Sequence, residues 1–93
     1  MRSSDGLDPR RKQILYRAWH RGTREMDLVL GRFADAHLAD LSEEQLDDLE
    51  GLMQAPDPEI YKWLSGSHPV PANWDTPIVH TIRAFHTDAA SRA

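Results

Sequence analysis

The chain has no cysteine. Disulfides, thiolate zinc sites, iron–sulfur ligation and cysteine nucleophiles are therefore excluded, and stability has to come from packing. No apolar run approaches the roughly 20 residues that a helical membrane span requires. Nowhere do apolar and polar residues alternate as they do along a half-buried strand, and there is no internal repeat. Glycine is scarce, at 5 of 93 residues. Gly22 and Gly31 stand isolated with no strand pattern before them, so a dinucleotide-binding fingerprint is missing too, and no stable cofactor site is expected in the chain itself. Met1 to Pro9 has neither the apolar stretch of a secretory signal nor the Arg- and Ser-rich amphipathic pattern of a transit peptide. The expected location is the bacterial cytoplasm, or the mitochondrial matrix if this is a processed eukaryotic form.

What is present describes a small helical protein. Ninety-three residues, 40% hydrophobic and 28% charged, fit one globular domain with room for a single core and little room for a deep, walled active site. The net charge of −4 is unevenly spread. Residues 1–24 hold Arg2, Arg10, Arg11, Lys12, Arg17, Arg21 and Arg24 against Asp5 and Asp8, for +5; the remaining 4 basic and 13 acidic residues carry −9. One part of the surface should attract acidic partners, and the rest repel them.

Five helices are predicted from start and stop signals. Asp8-Pro9 caps and opens the first, which buries Ile14, Leu15, Ala18 and Trp19 and should end at Gly22, where the turn calls for a backbone angle favouring glycine. In the second, Met26, Val29, Leu30, Phe33, His37, Leu38 and Leu41 follow one stripe, and Asp27, Arg32 and Asp35 fall off it. Gly31 in that helix marks close approach of a neighbour. His37, on the stripe, reads as a hydrogen-bonded core or boundary residue. Ser42 and Gln45 have capping-box spacing ahead of Leu46, Leu49, Leu52 and Met53, and Ala55-Pro56 stops the third helix. Asp57-Pro58 caps the fourth, with Ile60, Tyr61, Trp63 and Leu64, ending at Gly66. After a Pro-containing loop over Ser67 to Asn73, Thr76-Pro77 opens the fifth, with Ile78, Val79, Ile82 and Phe85 buried. Residues 1–7 and 87–93 read as frayed termini. The fold class is all-α, a compact bundle of about five short helices in a single domain.

The most distinctive local feature is Arg21-Gly22-Thr23-Arg24-Glu25 at the junction of the first two helices. Gly22 makes a tight turn, Arg21 is held just before it, and Glu25 lies in the first turn of a helix, where a carboxylate is favoured. A rigid corner with one guanidinium and one carboxylate suits protein recognition, because the guanidinium forks onto carboxylates or carbonyls and the carboxylate accepts from donors. By spacing alone, Arg21 and Glu25 could equally be solvated or paired with each other. The longer pattern adds more. Arg11-Lys12, Leu15-Tyr16-Arg17, the run Arg21 to Phe33 and the block Asp57 to Gly66 together resemble the succinate dehydrogenase assembly factor 2 family, also called the SdhE or flavinator family, over roughly residues 8–86.

That resemblance implies a five-helix fold and a partner, the flavoprotein subunit of succinate dehydrogenase and in bacteria often that of fumarate reductase. It implies that the chain promotes covalent attachment of FAD to that partner, where a flavoprotein histidine bonds to the 8α carbon of the flavin. It also implies that Arg21, Gly22 and Glu25 form the functional surface, with Asp27 at the acidic position that follows. Arg17, Arg24, Tyr16 and Trp19 are candidates for the rim, with core packing the expected fate of Trp19. The chain is then not an enzyme; it positions, and the flavin and the reacting histidine belong to the partner. Competing chemistries have little to stand on. His20, His37, His68, His80 and His86 include no pair at the four-residue spacing that joins two metal ligands on a helix face, and no nucleophile elbow occurs. The remaining alternative is a small regulatory or antitoxin-like binding protein using the basic first helix, a role also ascribed to this family in bacteria. A nucleic-acid partner is disfavoured by a sequence pI of about 5.6.

Overall fold

The computed structural model describes residues 6–92. Most of the expected N-terminal fraying, and Ala93, lie outside the described residues. Five helices form: α1 (Pro9–Ala18), α2 (Arg24–His37), α3 (Glu43–Leu52), α4 (Asp57–Leu64) and α5 (Pro77–Arg92), with 3-10 turns at Leu38–Asp40 and Ala72–Trp74. There is no strand among the described residues, so the all-α class holds. By packing, the chain divides into two compact units, one up to Leu41 and one from Ser42 onward.

In the first unit, Asp8 starts α1 by accepting the Arg11 N–H at 2.8 Å, with Pro9 in the first helical position. That bond, with the Arg11 guanidinium 2.7 Å away, holds the Asp8 carboxyl below its usual range. Ile14, Leu15 and Ala18 are buried, as their spacing requires. The helix stops at Ala18, well before Gly22. The Trp19 N–H reaches back to both Leu15 O and Tyr16 O at 3.2 Å, and the His20 N–H to Arg17 O at 3.2 Å, so i→i−3 bonding tightens the last turn and ends the helix early.

α2 packs along α1, and the contact turns on Gly31. A Cβ built on Gly31 would lie 2.4 Å from Trp19 Cδ2 and 2.5 Å from Cε2. The flat of the indole therefore rests directly on α2 backbone. One turn further on, Asp35 Oδ1 accepts the Trp19 indole N–H at 3.2 Å, which satisfies the ring's one polar group. Leu30, Phe33, Ala34, Leu38 and Leu41 are buried, but Val29 is only half-buried. His37 departs from its expected place: it is exposed, with its ring 5.4 Å from Phe33. It is the last residue of α2, where the backbone (φ −128°, ψ −12°) leaves helical geometry for the 3-10 turn, so the stripe swings away from it. Arg11 closes the unit, donating from Nε to Leu38 O at 3.1 Å and from Nη2 to Leu41 O.

In the second unit, Ser42 and Gln45 make the full capping box, with bonds of 3.1 and 2.8 Å. Leu46, Leu49, Leu52 and Met53 are buried behind it. The fourth helix starts one residue earlier than Asp57-Pro58 suggests: Pro56 is the cap, and Asp57 and Pro58 are the first helical residues. It ends in a left-handed Gly66, φ +81°, whose N–H bonds Trp63 O at 3.2 Å while the Ser67 N–H bonds Lys62 O at 3.1 Å, satisfying two end carbonyls. α3 and α4 both pack on α5, through Ile78, Val79 and Ile82; Phe85 is only half-buried. The backbone of the last helix is helical as far as Arg92. Ala89, Ala90 and Arg92 are strong helix formers, enough to carry the helix on.

Two outcomes follow from the first unit. Gly31→Ala should destabilise the protein by about 1–3 kcal/mol, despite the better helix propensity of Ala. Trp19→Leu in the same chain should remove most of that cost in thermal melts. The Asp8 carboxyl has a lower pKa folded than unfolded, so its contribution is present above the ordinary carboxylate range and lost as pH falls through the folded value. Relative to Asp8→Asn, the natural chain should lose its stability advantage on acidification below about pH 4, read as a narrowing difference in melting temperature.

Candidate functional site

The link between α1 and α2 is a short corner closed at both ends. Gly22 turns it with φ +105°. A Cβ there would meet nothing within 4 Å, so the backbone angle, not space, is what requires glycine. An L-residue held in such a region costs about 1–3 kcal/mol. Thr23 then caps α2, its hydroxyl accepting the Met26 N–H at 3.3 Å. Asp27 fastens the corner from the other side. Its N–H donates to Thr23 O at 3.0 Å, and its carboxylate accepts the Arg21 N–H at 2.7 Å, a charge-assisted bond across six residues.

This arrangement holds the backbone in place. Arg24 and Glu25 are exposed in the first turn of α2, with Glu25 favoured by the helix N-terminus. Arg21 and Asp27 are half-buried and Gly22 is exposed. The expected site residues Arg21, Gly22, Glu25, Asp27 and Arg24 thus fall on one continuous segment. Arg17 and Tyr16, both exposed, stand on the last turn of α1, and Tyr16 is 63% exposed. Trp19 is half-buried against Gly31 and acts in packing, as its stripe position implies. Such a surface can grip a partner by guanidinium donors and a carboxylate acceptor on a fixed frame. Among the described residues, no three His, Cys, Asp or Glu side chains gather as metal ligands, and no helix is long and apolar enough to cross a membrane.

Three residues that matter here carry little sequence signal. Thr23 occupies a variable motif position, and its capping role could be read only from a hydroxyl residue ahead of an acidic first turn. Asp27, which the resemblance already places beside the motif, locks the turn; its off-stripe position alone suggests only a solvated acid. His20, which stacks on Tyr16 at a centroid distance of 3.9 Å, has no motif around it. The lock can be tested directly. Asp27→Ala should speed amide hydrogen exchange at Arg21 by about ten- to a hundredfold, the range of a bond to a charged group. Asp27→Asn, which keeps an acceptor, should fall between; equal exchange in all three would remove Asp27 from the corner.

The family described as "Flavinator of succinate dehydrogenase" matches residues 12–86. The FAD assembly factor SdhE of Acetobacter pasteurianus is 39% identical over 80 residues, covering 86% of this chain and 73% of that protein. A mitochondrial succinate dehydrogenase assembly factor 2 of Dictyostelium discoideum is 36% identical over 77 residues, 83% of this chain and 55% of its own. That of Debaryomyces hansenii is 36% identical over 76 residues, 78% and 54%. The chain therefore spans little more than half the length of these two eukaryotic relatives. No solved structure matches. The relatives are assembly factors and not enzymes, in agreement with the expectation that this chain is not an enzyme. On the span of the match and the level of identity, the chain belongs to the flavinator family of succinate dehydrogenase.

Proposed function

We propose that this chain binds the flavoprotein subunit of succinate dehydrogenase and promotes covalent attachment of FAD to it by positioning. Arg21, Gly22, Glu25 and Asp27 form the centre of the binding surface, and Arg17, Arg24 and Tyr16 its rim. The observation that carries this reading is the Asp27 carboxylate on the Arg21 N–H, 2.7 Å long. It fixes the backbone of a corner on which Arg24 and Glu25 are exposed. A corner held before binding loses little freedom on binding, so its contacts go into holding the partner.

In this reading FAD is the partner's substrate, and this chain holds no cofactor stably. The reacting histidine and the flavin lie in the flavoprotein, and the small protein contributes geometry. Holding two groups within reaction distance can supply about 7–11 kcal/mol of a barrier, so a protein with no reacting atom of its own can still accelerate the step. Arg21 and Glu25 have different tasks: the guanidinium forks onto partner carboxylates or carbonyls, and Glu25 accepts from partner donors.

The test is in-gel flavin fluorescence of denatured succinate dehydrogenase flavoprotein. It is expressed alone, with this chain, or with its Arg21→Ala/Glu25→Ala form. The natural chain should restore covalent flavin. The double variant should melt within about 1 kcal/mol of the natural chain, since surface pairs contribute little. It should bind the flavoprotein about ten- to a hundredfold more weakly and leave most of it unflavinylated. Equal fluorescence in all three arms would end the proposal.

A further inference from the structure

Tyr16 is the more exposed of the two exposed large hydrophobic side chains among the described residues, at 63% against 45% for Tyr61. A lone exposed tyrosine at a helix end would ordinarily sample several rotamers. Tyr16 is instead held. The His20 ring lies parallel to it, 16° between planes and 3.9 Å between centroids. His20 is itself tethered, with Nδ1 2.6 Å from the backbone oxygen of Tyr16. A carbonyl only accepts, so Nδ1 carries a proton and donates, which fixes the ring's orientation. Tyr16 O is one of the carbonyls that the end of α1 leaves without an i+4 amide, because the helix stops at Ala18. That carbonyl, which the Trp19 N–H reaches at 3.2 Å, takes the imidazole N–H as a second donor, and this brings the ring over the phenol.

We infer that the Tyr16–His20 stack is a preassembled aromatic anchor of the surface that binds the flavoprotein, with His20 as a positioning residue acting through Tyr16. The inference rests on the proposed function and extends it to the chemistry of the partner's face. That face presents an apolar recess for the phenol ring, bordered by carboxylates. The surroundings of the stack require the border: Arg17 adjoins Tyr16 in sequence and is exposed, Arg21 follows His20 directly, and Arg24 is exposed at the start of α2. A tyrosine offers a large amphipathic contact with few torsions to freeze, and stacking on His20 has already frozen them. His20 thus improves binding without itself being the main contact.

Coupling between the two rings separates this role from a purely structural one. In the isolated chain, the Tyr16 ring protons should be shifted upfield by the imidazole. His20→Ala should abolish the shift, and His20→Phe, which keeps an aromatic face, should retain part of it. Affinity for the apo-flavoprotein is then measured for the natural chain, Tyr16→Ala, His20→Ala and the double variant, each checked by thermal melting. Tyr16→Ala should weaken binding about tenfold or more, and His20→Ala about three- to tenfold. The double variant should be no weaker than Tyr16→Ala alone, because His20 has nothing left to position. His20→Phe should recover part of the loss. Binding should also weaken as salt is raised, through the carboxylate border. Tyr16→Ala binding within twofold of the natural chain would overturn the anchor, and a full additional loss in the double variant would overturn the positioning role. If those occur while Arg21→Ala/Glu25→Ala still weakens binding, the inference fails and the proposed function stands. If the natural chain does not bind the flavoprotein at all, both fall.

Discussion

The closeness of α1 and α2 depends on one interaction, the Trp19 indole lying flat on the backbone of Gly31 with its N–H on Asp35. Any side chain at position 31 would overlap the fused ring, 2.4–2.8 Å away. The ring's position is set twice, by the missing Cβ and by the carboxylate one turn on. Because Trp19 is also the cap that ends α1, the same contact fixes where the chain leaves that helix. The link to α2 has only Gly22, Thr23 and their immediate neighbours to cover the distance. The corner inherits its shape from the packing beneath it.

The basic residues of the first unit divide between two tasks. Arg11 is spent on the fold: its guanidinium reaches Asp8, Leu38 O and Leu41 O at once. Bonds of a charged donor to end carbonyls are stronger than neutral ones; Leu38 O, which already accepts the Leu41 N–H at 3.3 Å, gains a second donor, and Leu41 O gains a charged one. Arg17 and Arg24 remain exposed and Arg21 half-buried around the corner. The positive character of residues 1–24 is therefore not one solvated stripe. Part of it ties the unit together, and part of it is exposed around the corner.

How much of this was legible depended on whether a local pattern carried it. Asp8-Pro9 and Ser42 with Gln45 mark helix starts because capping is satisfied within one turn of chain, and Pro77 marks one because its preset backbone angle suits the first helical position. Gly31 marked a close approach, and Gly22 a positive backbone angle, since each is defined by what glycine lacks. The family signature located the corner segment, but its lock was hidden. The Asp27–Arg21 bond runs from a side chain to a backbone amide, which no residue pattern encodes. Arg11 looked like any member of a basic run, because its carbonyl partners lie 27 and 30 residues away. The end of α1 was placed too late because i→i−3 tightening needs no glycine. His37 has the spacing of the stripe but sits at the helix end, where spacing alone does not bury it.

The carbonyls that Arg11 binds also set an order of events for a chain made from its N-terminus. Leu38 and Leu41 are the final acceptors of the first unit, and the next residue, Ser42, opens the second. Once Leu41 has emerged from the ribosome, every group that closes the first unit is already outside. Its helices and corner can form while the acidic remainder is still being synthesised. The corner is thus encoded ahead of the whole second unit in the message.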